Sequence, residues 1–230
     1  MAKITYLNTT SLASSTISTL TIPYPDNVNR NETLIMVVLC HDIGKTPTVA
    51  DTHWSLVKNQ DGATFGVFVY IHDHIIIPPP ISASVVINGL SNKLNCGYIM
   101  RFKGGIIDDT KLINAKVSRY NATGSTGNSG FITTVNNTMI VHIVGIPQNL
   151  AILSWTSTAS LTWSQQINYN ISDLPYILHS NFATSSPAPA SHYSSFSYSF
   201  IAGSSENISI SIALTPGTPP NYVLNLLKSF

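Results

Sequence analysis

The most restrictive feature of the sequence is a strict alternation of apolar and hydroxyl-bearing residues near its C-terminal end. Isoleucine and serine alternate over residues 208–212, and aromatic residues and serine alternate over residues 196–200. Because successive side chains of a β-strand point to opposite faces, this period of two predicts strands with one buried and one solvated face. No long segment shows the 3.6-residue period of an amphipathic helix, so the pattern predicts an all-β fold.

Strand-like runs recur along the chain and are separated by clusters of Gly, Pro, Asn and Asp. Strands are predicted at 17–22, 33–40, 54–59, 64–72, 82–88, 95–103, 139–145, 160–165, 194–203 and 208–215. Many short strands with turn signals between them are typical of a β-sandwich, and 230 residues fit within one such domain. The prediction is an antiparallel β-sandwich of jelly-roll type, with residues 1–230 as a single domain.

The segments between the strands carry further predictions. Residues 106–114 and 222–227 fit short turns of helix, although the second segment fits a closing strand equally well. Residues 121–130 are small and polar and predict a mobile surface loop. Residues 184–191 have the composition of a linker, which we interpret as a long outward-facing loop within one domain.

A weak internal echo connects two parts of the chain. The segment NETLIMV at residues 31–37 resembles NNTMIVH at residues 136–142, and a tryptophan follows each segment, Trp54 and Trp155 respectively. The echo fits two related halves, and it also fits two unrelated strands that each follow an asparagine turn.

Charge is scarce in this sequence. Asp, Glu, Lys and Arg make up 9% of the residues, whereas an ordinary globular domain has about 25%. A neutral surface of Ser, Thr and Asn suits a protein packed against many neighbours, which predicts a homo-oligomer. The net charge of +1 without a basic stripe argues against nucleic-acid binding. No segment approaches the roughly 18 apolar residues of a membrane span, and no classical export signal is recognised at the N-terminus.

The histidines raise the question of a metal site. His72 and His74 are two residues apart at a predicted strand end, and His41 with Asp42 or Asp73 offers further ligands. Zinc sites in proteins are usually announced by His-Glu-x-x-His or by Cys/His clusters, and neither is present. We therefore predict no metal site.

Catalytic and cofactor motifs are also missing from the sequence. Asp108 and Asp109 are the best acid pair for glycoside cleavage, but adjacent residues on an extended chain point apart. Neither a nucleophile elbow nor a glycine-rich phosphate loop occurs. The sequence predicts a protein that is not an enzyme, has no catalytic residues and takes no cofactor.

Aromatic side chains are the best candidates for ligand contact. Trp155, Trp163 and Tyr193 are predicted contact residues for a glycan, although core packing is the commoner role of a tryptophan. Trp54 begins a predicted strand and is interpreted as a cap on the core. Cys40 and Cys96 lie in apolar runs, and the sequence leaves open whether they are two buried thiols or one disulfide.

The order of features between Ile22 and Gly105 resembles a jelly-roll β-sandwich domain found in capsid- and tail-associated proteins of tailed bacteriophages and other prokaryotic viruses. The segments that carry the resemblance are TIPYP at 21–25, the strand at 33–39, Trp54, the strands at 66–70 and 82–87, and IMRFKGG at 99–105. Asn31-Glu32 stands where the family usually has Gly-Asp, and His53 stands where Gly usually precedes the tryptophan. Residues 138–141, with Trp155, extend the resemblance into the second half.

The resemblance implies a virion structural protein, capsid- or tail-associated and of decoration or spike type, assembled in the host cytoplasm. Its partners would be other virion subunits, with attachment to a host-surface glycan as a further role. The alternative is a carbohydrate-binding adhesin or receptor-binding module, and a glycoside hydrolase on a sandwich is a more distant third. The family supplies no catalytic residues.

Overall fold

The computed structural model describes the following residues: 3–29, 32–72, 83–106, 116–122, 126–132, 136–148, 152–157, 161–173, 176–188, 193–200 and 206–217. The regular secondary structure in these ranges consists of β-strands, and the paired strands run antiparallel. The prediction of an all-β protein of antiparallel, sandwich-like sheets is therefore confirmed. Within the same ranges no helix is long and apolar enough to cross a membrane.

Among the described residues, the first half of the chain contributes ten strands. They are β1 (Thr5–Thr9), β2 (Ala13–Ser15), β3 (Thr19–Pro23), β4 (Glu32–Cys40), β5 (Thr48–Val49), β6 (Trp54–Asp61), β7 (Gly66–His72), β8 (Ser84–Asn88), β9 (Asn95–Lys103) and β10 (Gly105–Ile106).

Eight further strands lie in the part of the second half that the structure describes. They are β11 (Lys116–Asn121), β12 (Thr126–Ile132), β13 (Met139–Ile146), β14 (Ile152–Ser157), β15 (Trp163–Asp173), β16 (Tyr176–Ser185), β17 (Tyr193–Phe200) and β18 (Asn207–Pro216).

The two halves repeat one strand order. The first large sheet runs β1-β9-β4-β7-β6, and the first small sheet runs β3-β8-β5. The second large sheet runs through β18-β13-β16-β15, with β11 paired to β18, and the second small sheet runs β12-β17-β14. The strands of the two halves correspond in chain order: β1 to β11, β3 to β12, and so on to β9 and β18. When each strand is replaced by its counterpart, the strand order of the first half becomes that of the second half. Among the described strands, β2 and β10 have no counterpart.

The sheets stack as four layers. The inner faces of the two large sheets pack on each other through a core shared by both halves, in which Val37 and Tyr98 meet Ile143 and Phe182. On its other face the first large sheet packs against the first small sheet. The second large sheet meets the second small sheet through Val144, Ile146, Tyr198 and Trp155. The single-domain prediction stays a prediction, but the shared core joins the two halves.

A glycine allows the closest approach of the large sheets. A Cβ atom built on Gly145 in β13 would lie 2.7 Å from Val67 Cγ2 and 3.0 Å from Leu39 Cδ2, both in the first half. Real Cβ atoms essentially never come within 3.0 Å of another heavy atom in this way. A larger residue would therefore push the halves apart, since packed interiors have little free space.

The internal echo falls on equivalent strands but in a shifted register. Ile35 in β4 belongs to the shared core, whereas its echo partner Ile140 in β13 faces outward, toward Trp163. A shift of one residue turns every side chain of a strand to the opposite face, so the letter-by-letter match is not the structural one. The tryptophan that corresponds to Trp54, the first residue of β6, is Trp163, the first residue of β15, and not Trp155.

Two loop predictions are wrong in part. Of the predicted loop at 121–130, Asn121 ends β11 and residues from Thr126 onward form β12, which pairs with β17. Of the predicted loop at 184–191, the first two residues complete β16 and are buried, and Ala188 pairs with Thr138 in an isolated bridge. Small polar residues were interpreted as loop, but a neighbouring strand supplies the hydrogen bonds that make them a sheet. Of the predicted helical turn at 106–114, Ile106 belongs to the strand β10 and the other residues lie outside the described residues, as do residues 222–227.

Candidate functional site

The structure brings together two of the three predicted contact residues. Trp155 in β14 and Trp163 in β15 are both half-buried, and their rings flank the imidazole of His142 with centroid distances of 5.5 Å and 6.1 Å. The Trp155 indole nitrogen donates a hydrogen bond of 3.0 Å to the exposed amide oxygen of Gln165. An aromatic surface beside an amide is therefore present where the second large and small sheets meet.

Tyr193 lies apart from this pair. It is the first residue of β17, whereas the residue of β17 that contacts Trp155 is Tyr198, at a centroid distance of 5.9 Å. Five residues of extended strand separate Tyr193 from Tyr198, which amounts to about 17 Å. The role of the three residues in ligand contact stays a prediction, and the structure places the backbone of Tyr193 apart from the two tryptophans.

His142 forms the floor beneath the two tryptophans. Its side chain is fully buried, and Nδ1 shares a hydrogen bond of 2.6 Å with the hydroxyl of Ser211 on the neighbouring strand. Burial lowers the pKa of His142 to about 3, because an imidazolium ion would lose its hydration there. The ring is neutral at physiological pH and serves as a packed polar group rather than as a proton donor.

Of the metal ligands weighed from the sequence, His41 and His72 are not brought together. His41 follows the end of β4, and Cys40 pairs with Gly66 at the start of β7. His72 ends β7, six residues further along the strand, so His41 and His72 lie about 20 Å apart at opposite ends of the sheet. His74 and Asp73 lie outside the described residues.

A different set of potential metal ligands does meet at the far end of β7. Asp51 and His53 lie in the turn between β5 and β6, and His72 is brought beside them because Trp54 pairs with His72 in the β6–β7 ladder. One ligand atom of each of the three residues lies within 4.8 Å of those of the other two. The sequence held a signal for this cluster, since the strands predicted at 54–59 and 64–72 form one hairpin whose ends lie side by side.

The Asp51 carboxylate is held in place by its neighbours. Tyr24 donates its hydroxyl to Oδ2 at 3.0 Å, and the backbone amide and the ring of His53 contact Oδ1 at 3.0 Å and 2.7 Å. Partial burial alone would raise the pKa of Asp51, but the hydrogen bonds from His53 and Tyr24 outweigh it and hold the pKa below its usual value. Trp54 completes the chain by donating its indole N–H to the Tyr24 hydroxyl at 2.9 Å.

An open cleft of about 620 Å³ lies at the opposite end of the β6–β7 hairpin, where the two halves meet. Glu206 from the second half lines it and accepts hydrogen bonds from the backbone amide of Thr64 at 3.0 Å, from its hydroxyl at 2.6 Å, and from the Ala63 amide. Asp42 also lines the cleft and forms an ion pair with Lys45 at 3.1 Å. Glu206 thus clamps the turn of one half onto the other.

These acids do not resemble a glycosidase pair. A general acid needs a raised pKa, whereas the hydrogen bond from Lys45 holds the pKa of Asp42 below its usual value. Both oxygens of Glu206 are occupied by the hydrogen bonds to the hairpin turn. Asp108 and Asp109 lie outside the described residues.

The segments that carry the sequence resemblance contact each other. Arg101 in β9 forms a two-pronged ion pair with Glu32 at the start of β4, with distances of 2.6 Å and 2.8 Å. It also donates to the backbone oxygen of Asp26 at 2.9 Å. Burial alone would raise the pKa of Glu32, but the hydrogen bonds from Arg101 and Asn29 lower it below its usual value. With Tyr24 bonded to Trp54, these contacts fix the proline-containing approach to β4.

The two cysteines are buried free thiols. Cys96 pairs with Leu39, the residue before Cys40, so the two side chains point to opposite faces of the first large sheet. Cys96 accordingly belongs to the shared core and Cys40 to the core beneath the first small sheet. The alternation of the strand explains why adjacent strands do not allow a disulfide here.

Comparisons of this chain with protein-family models, with curated proteins and with solved structures find no match.

Proposed function

We propose that this chain is a structural subunit of a virion, capsid- or tail-associated, and that each half follows the jelly-roll plan. The observation that carries the proposal is the nested pairing of strands. With β2 and β10 left out, the described residues give eight corresponding strands in each half. The first pairs with the eighth, the second with the seventh and the third with the sixth. A hairpin rolled into two sheets is expected to show such nesting, so the pairing supports the jelly-roll plan, which many viral capsid proteins use.

One departure is common to both halves. In an even jelly roll the fifth strand joins the small sheet, whereas β6 and β15 extend the large sheets as partners of β7 and β16. The large sheets are thereby widened on the side where the halves meet. The departure fits a protein whose two rolls are fused back to back through their large sheets.

The scarcity of charge supports a role in assembly. With 9% charged residues, few ions lose their hydration when the surface meets another subunit. The convergence of Trp54, Glu32 and Arg101 on the approach to β4 indicates that the resemblance to virion proteins rests on residues with structural roles. A structural subunit needs such a scaffold and no reacting groups.

The proposal is tested by measuring the mass of the full chain in solution by light scattering. The concentration is varied over two decades, at low salt and at about 1 M salt, where the Debye length shrinks to about 3 Å. We expect a discrete homo-oligomer that persists at high salt, and recovery of the chain with particles on a density gradient. A monomer under all conditions that is absent from particles would contradict the proposal.

A carbohydrate-binding module is the second candidate, and the half-buried Trp155 beside the exposed Gln165 favours it. Sugars bind on aromatic faces with amides as hydrogen-bonding partners, and lectins also use jelly rolls. Binding to a glycan array is the measurement, with Trp155→Ala and Gln165→Ala as variants. We expect both to abolish binding while the circular dichroism spectrum is unchanged. Tyr193→Ala, about 17 Å away along β17, is the control that should retain binding.

A further inference from the structure

We propose that Asp51, His53 and His72 form a binding site for a divalent transition-metal ion of the zinc type. The three residues come from two elements that the β6–β7 hairpin brings together, the turn before β6 and the end of β7. Their ligand atoms lie within 4.8 Å of one another. The site is independent of the virion proposal and of the aromatic cluster in the second half.

The donor set selects the class of metal. Two imidazole nitrogens and one carboxylate suit Zn²⁺, Co²⁺, Ni²⁺ or Cu²⁺, whereas Ca²⁺ and Mg²⁺ prefer oxygen ligands throughout. Three protein ligands leave a fourth tetrahedral position for water or for a ligand from outside the chain. The arrangement is therefore that of an open site rather than a closed structural one.

The distances are close to those that a metal requires. With metal–ligand bonds of about 2.0–2.1 Å, two ligands of a tetrahedral ion are separated by about 3.3 Å. His53 Nδ1 lies 2.7 Å from Asp51 Oδ1, and His72 Nε2 lies 3.9 Å from Asp51 Oδ2. The two imidazole nitrogens approach different oxygens of the Asp51 carboxylate, and a shift of less than about 1 Å would bring each nitrogen–oxygen pair to the required separation. The hydrogen bond that now joins His53 to Asp51 would give way to bonds from both residues to the ion.

Two of the three ligands are positioned in advance. The Tyr24 hydroxyl holds Asp51 from behind, as outer hydrogen bonds hold carboxylate ligands in metal sites. His72 packs edge-on against Trp54 at a centroid distance of 5.1 Å and lies nearly parallel to the His53 ring at 5.6 Å, with 12° between the planes. The His53 side chain is 60% exposed and is the one free to adjust. Pre-positioning reduces the ordering that binding must impose.

The proposal is tested by calorimetry. The full chain is freed of metal with a chelator and is then titrated with Zn²⁺ alone. We expect one ion per chain and a higher midpoint of thermal unfolding with Zn²⁺, because an ion that binds the folded state stabilises it. His53→Ala changes an exposed side chain and is expected to lower the affinity by tenfold or more, as is Asp51→Asn. Asp42→Asn is the matched control, since Asp42 is also a turn acid with a cationic partner, Lys45, and should leave the affinity unchanged.

Tryptophan fluorescence gives a second measurement that reports position. Cu²⁺ bound at this site should quench Trp54, whose ring contacts His72, and the quenching should disappear in Trp54→Phe and in His53→Ala. Binding that is equally tight in His53→Ala and Asp51→Asn would overturn the proposal, and so would the lack of any binding at millimolar Zn²⁺. If His53→Ala fails to fold, Asp51→Asn, which keeps the shape of the side chain, decides the question by the same readouts.

Discussion

The two halves of the chain share a strand order but differ in what lies behind their large sheets. In the first half, the face of the central strand β4 that meets the small sheet is apolar from Leu34 to Cys40, and its charged residue, Glu32, lies at the start of the strand, paired with Arg101. In the second half, the corresponding face of β13 carries the polar His142 between Ile140 and Val144. The neighbouring strand β18 adds Ser209 and Ser211 to that face.

The inner faces of the large sheets show no such difference. Val37 in β4 and Ile143 in β13 both belong to the shared core, and the inward-facing residues of β18 are Ile208, Ile210, Ile212 and Leu214. Both halves thus combine the nested strand pairing with one shared apolar core. The layer between the large and the small sheet, by contrast, is mostly apolar in the first half and partly polar in the second. A polar interior is tolerated where its groups pair, as His142 does with Ser211.

The largest effect is expected from Arg101→Met, at the end of the apolar layer of the first half. The change leaves the carboxylate of Glu32, which is 5% exposed, without its cation. Losing one partner of a buried pair costs about 3–5 kcal/mol, because the remaining charge has neither water nor a counter-ion. Urea denaturation followed by circular dichroism measures the loss.

Lys45→Met is the control, since Lys45 is 59% exposed in its pair with Asp42 and should lose less than about 1 kcal/mol. Adding Glu32→Gln to Arg101→Met should recover part of the loss. Equal costs for Arg101→Met and Lys45→Met would contradict the distinction between a buried and an exposed pair.

Gly145→Ala is the next largest change and acts on the shared core rather than on one half. The added methyl group would meet Val67 and Leu39, which are fully buried. Overpacking typically costs about 1–3 kcal/mol, and the stiff valine favours the upper end.

Gly97→Ala is the control, because it overfills the first half alone. The nearest backbone atom to its added methyl group is the Val37 carbonyl oxygen, at 2.8 Å. If the halves unfold as one unit, both variants should give a single transition in urea; two separate transitions would show that the shared core does not couple them.

The sequence predicted those strands whose pattern does not depend on distant partners. The apolar runs of β4, β7, β9 and β13 are buried on both faces or nearly so, and the alternation of β18 is visible directly. β16 was not predicted because Ser180 interrupts its inward-facing apolar residues. Ser180 is accommodated in the core by a 2.9 Å hydrogen bond with the hydroxyl of Tyr98, which is 82 residues away in the chain.

The candidate metal site was predictable only in part. The hairpin that places residue 54 opposite residue 72 follows from the predicted strands, so the meeting of the turn before β6 with the end of β7 was within reach. The support of Asp51 by Tyr24 was not, because it depends on the path of the chain before β4. The sequence offers His72 together with His41 instead, a combination that the antiparallel register of β4 and β7 excludes.

Acid should destabilise the second half through His142. Burial holds its folded pKa at about 3, below the ordinary value of 6.5, so between these values the unfolded chain binds a proton that the folded chain does not. Stability from this group is therefore complete above about pH 6.5 and falls with pH, by about 1.4 kcal/mol per unit at most. About 2 kcal/mol should be lost by pH 5.

The measurement is the unfolding free energy of the wild type and of His142→Gln between pH 8 and pH 5, a range that lies above the titration of the carboxylates. The slope attributed to His142 is the difference between the two proteins. Gln165→Ala changes an exposed, non-ionisable residue beside the same aromatic cluster, and as the control it should keep the wild-type slope. An unchanged slope in His142→Gln would mean that the charged ring reaches water and that the polar layer of the second half opens readily.

The smallest effect is expected from Tyr24→Phe, which tests how the first half holds the tryptophan that begins β6. The Tyr24 hydroxyl accepts from Trp54 at 2.9 Å and donates to Asp51 at 3.0 Å, and the Tyr24 and Trp54 rings stack at 6.2 Å. The variant keeps the stacking and removes both hydrogen bonds, so we expect a loss of about 0.5–1.5 kcal/mol in urea denaturation. Trp163 begins β15 as Trp54 begins β6, so the stability lost in Trp163→Phe is the value to compare in the second half. No loss in Tyr24→Phe would show that ring packing alone fixes Trp54, and the turn that carries Asp51 would then be held by the β6–β7 ladder rather than by the hydroxyl.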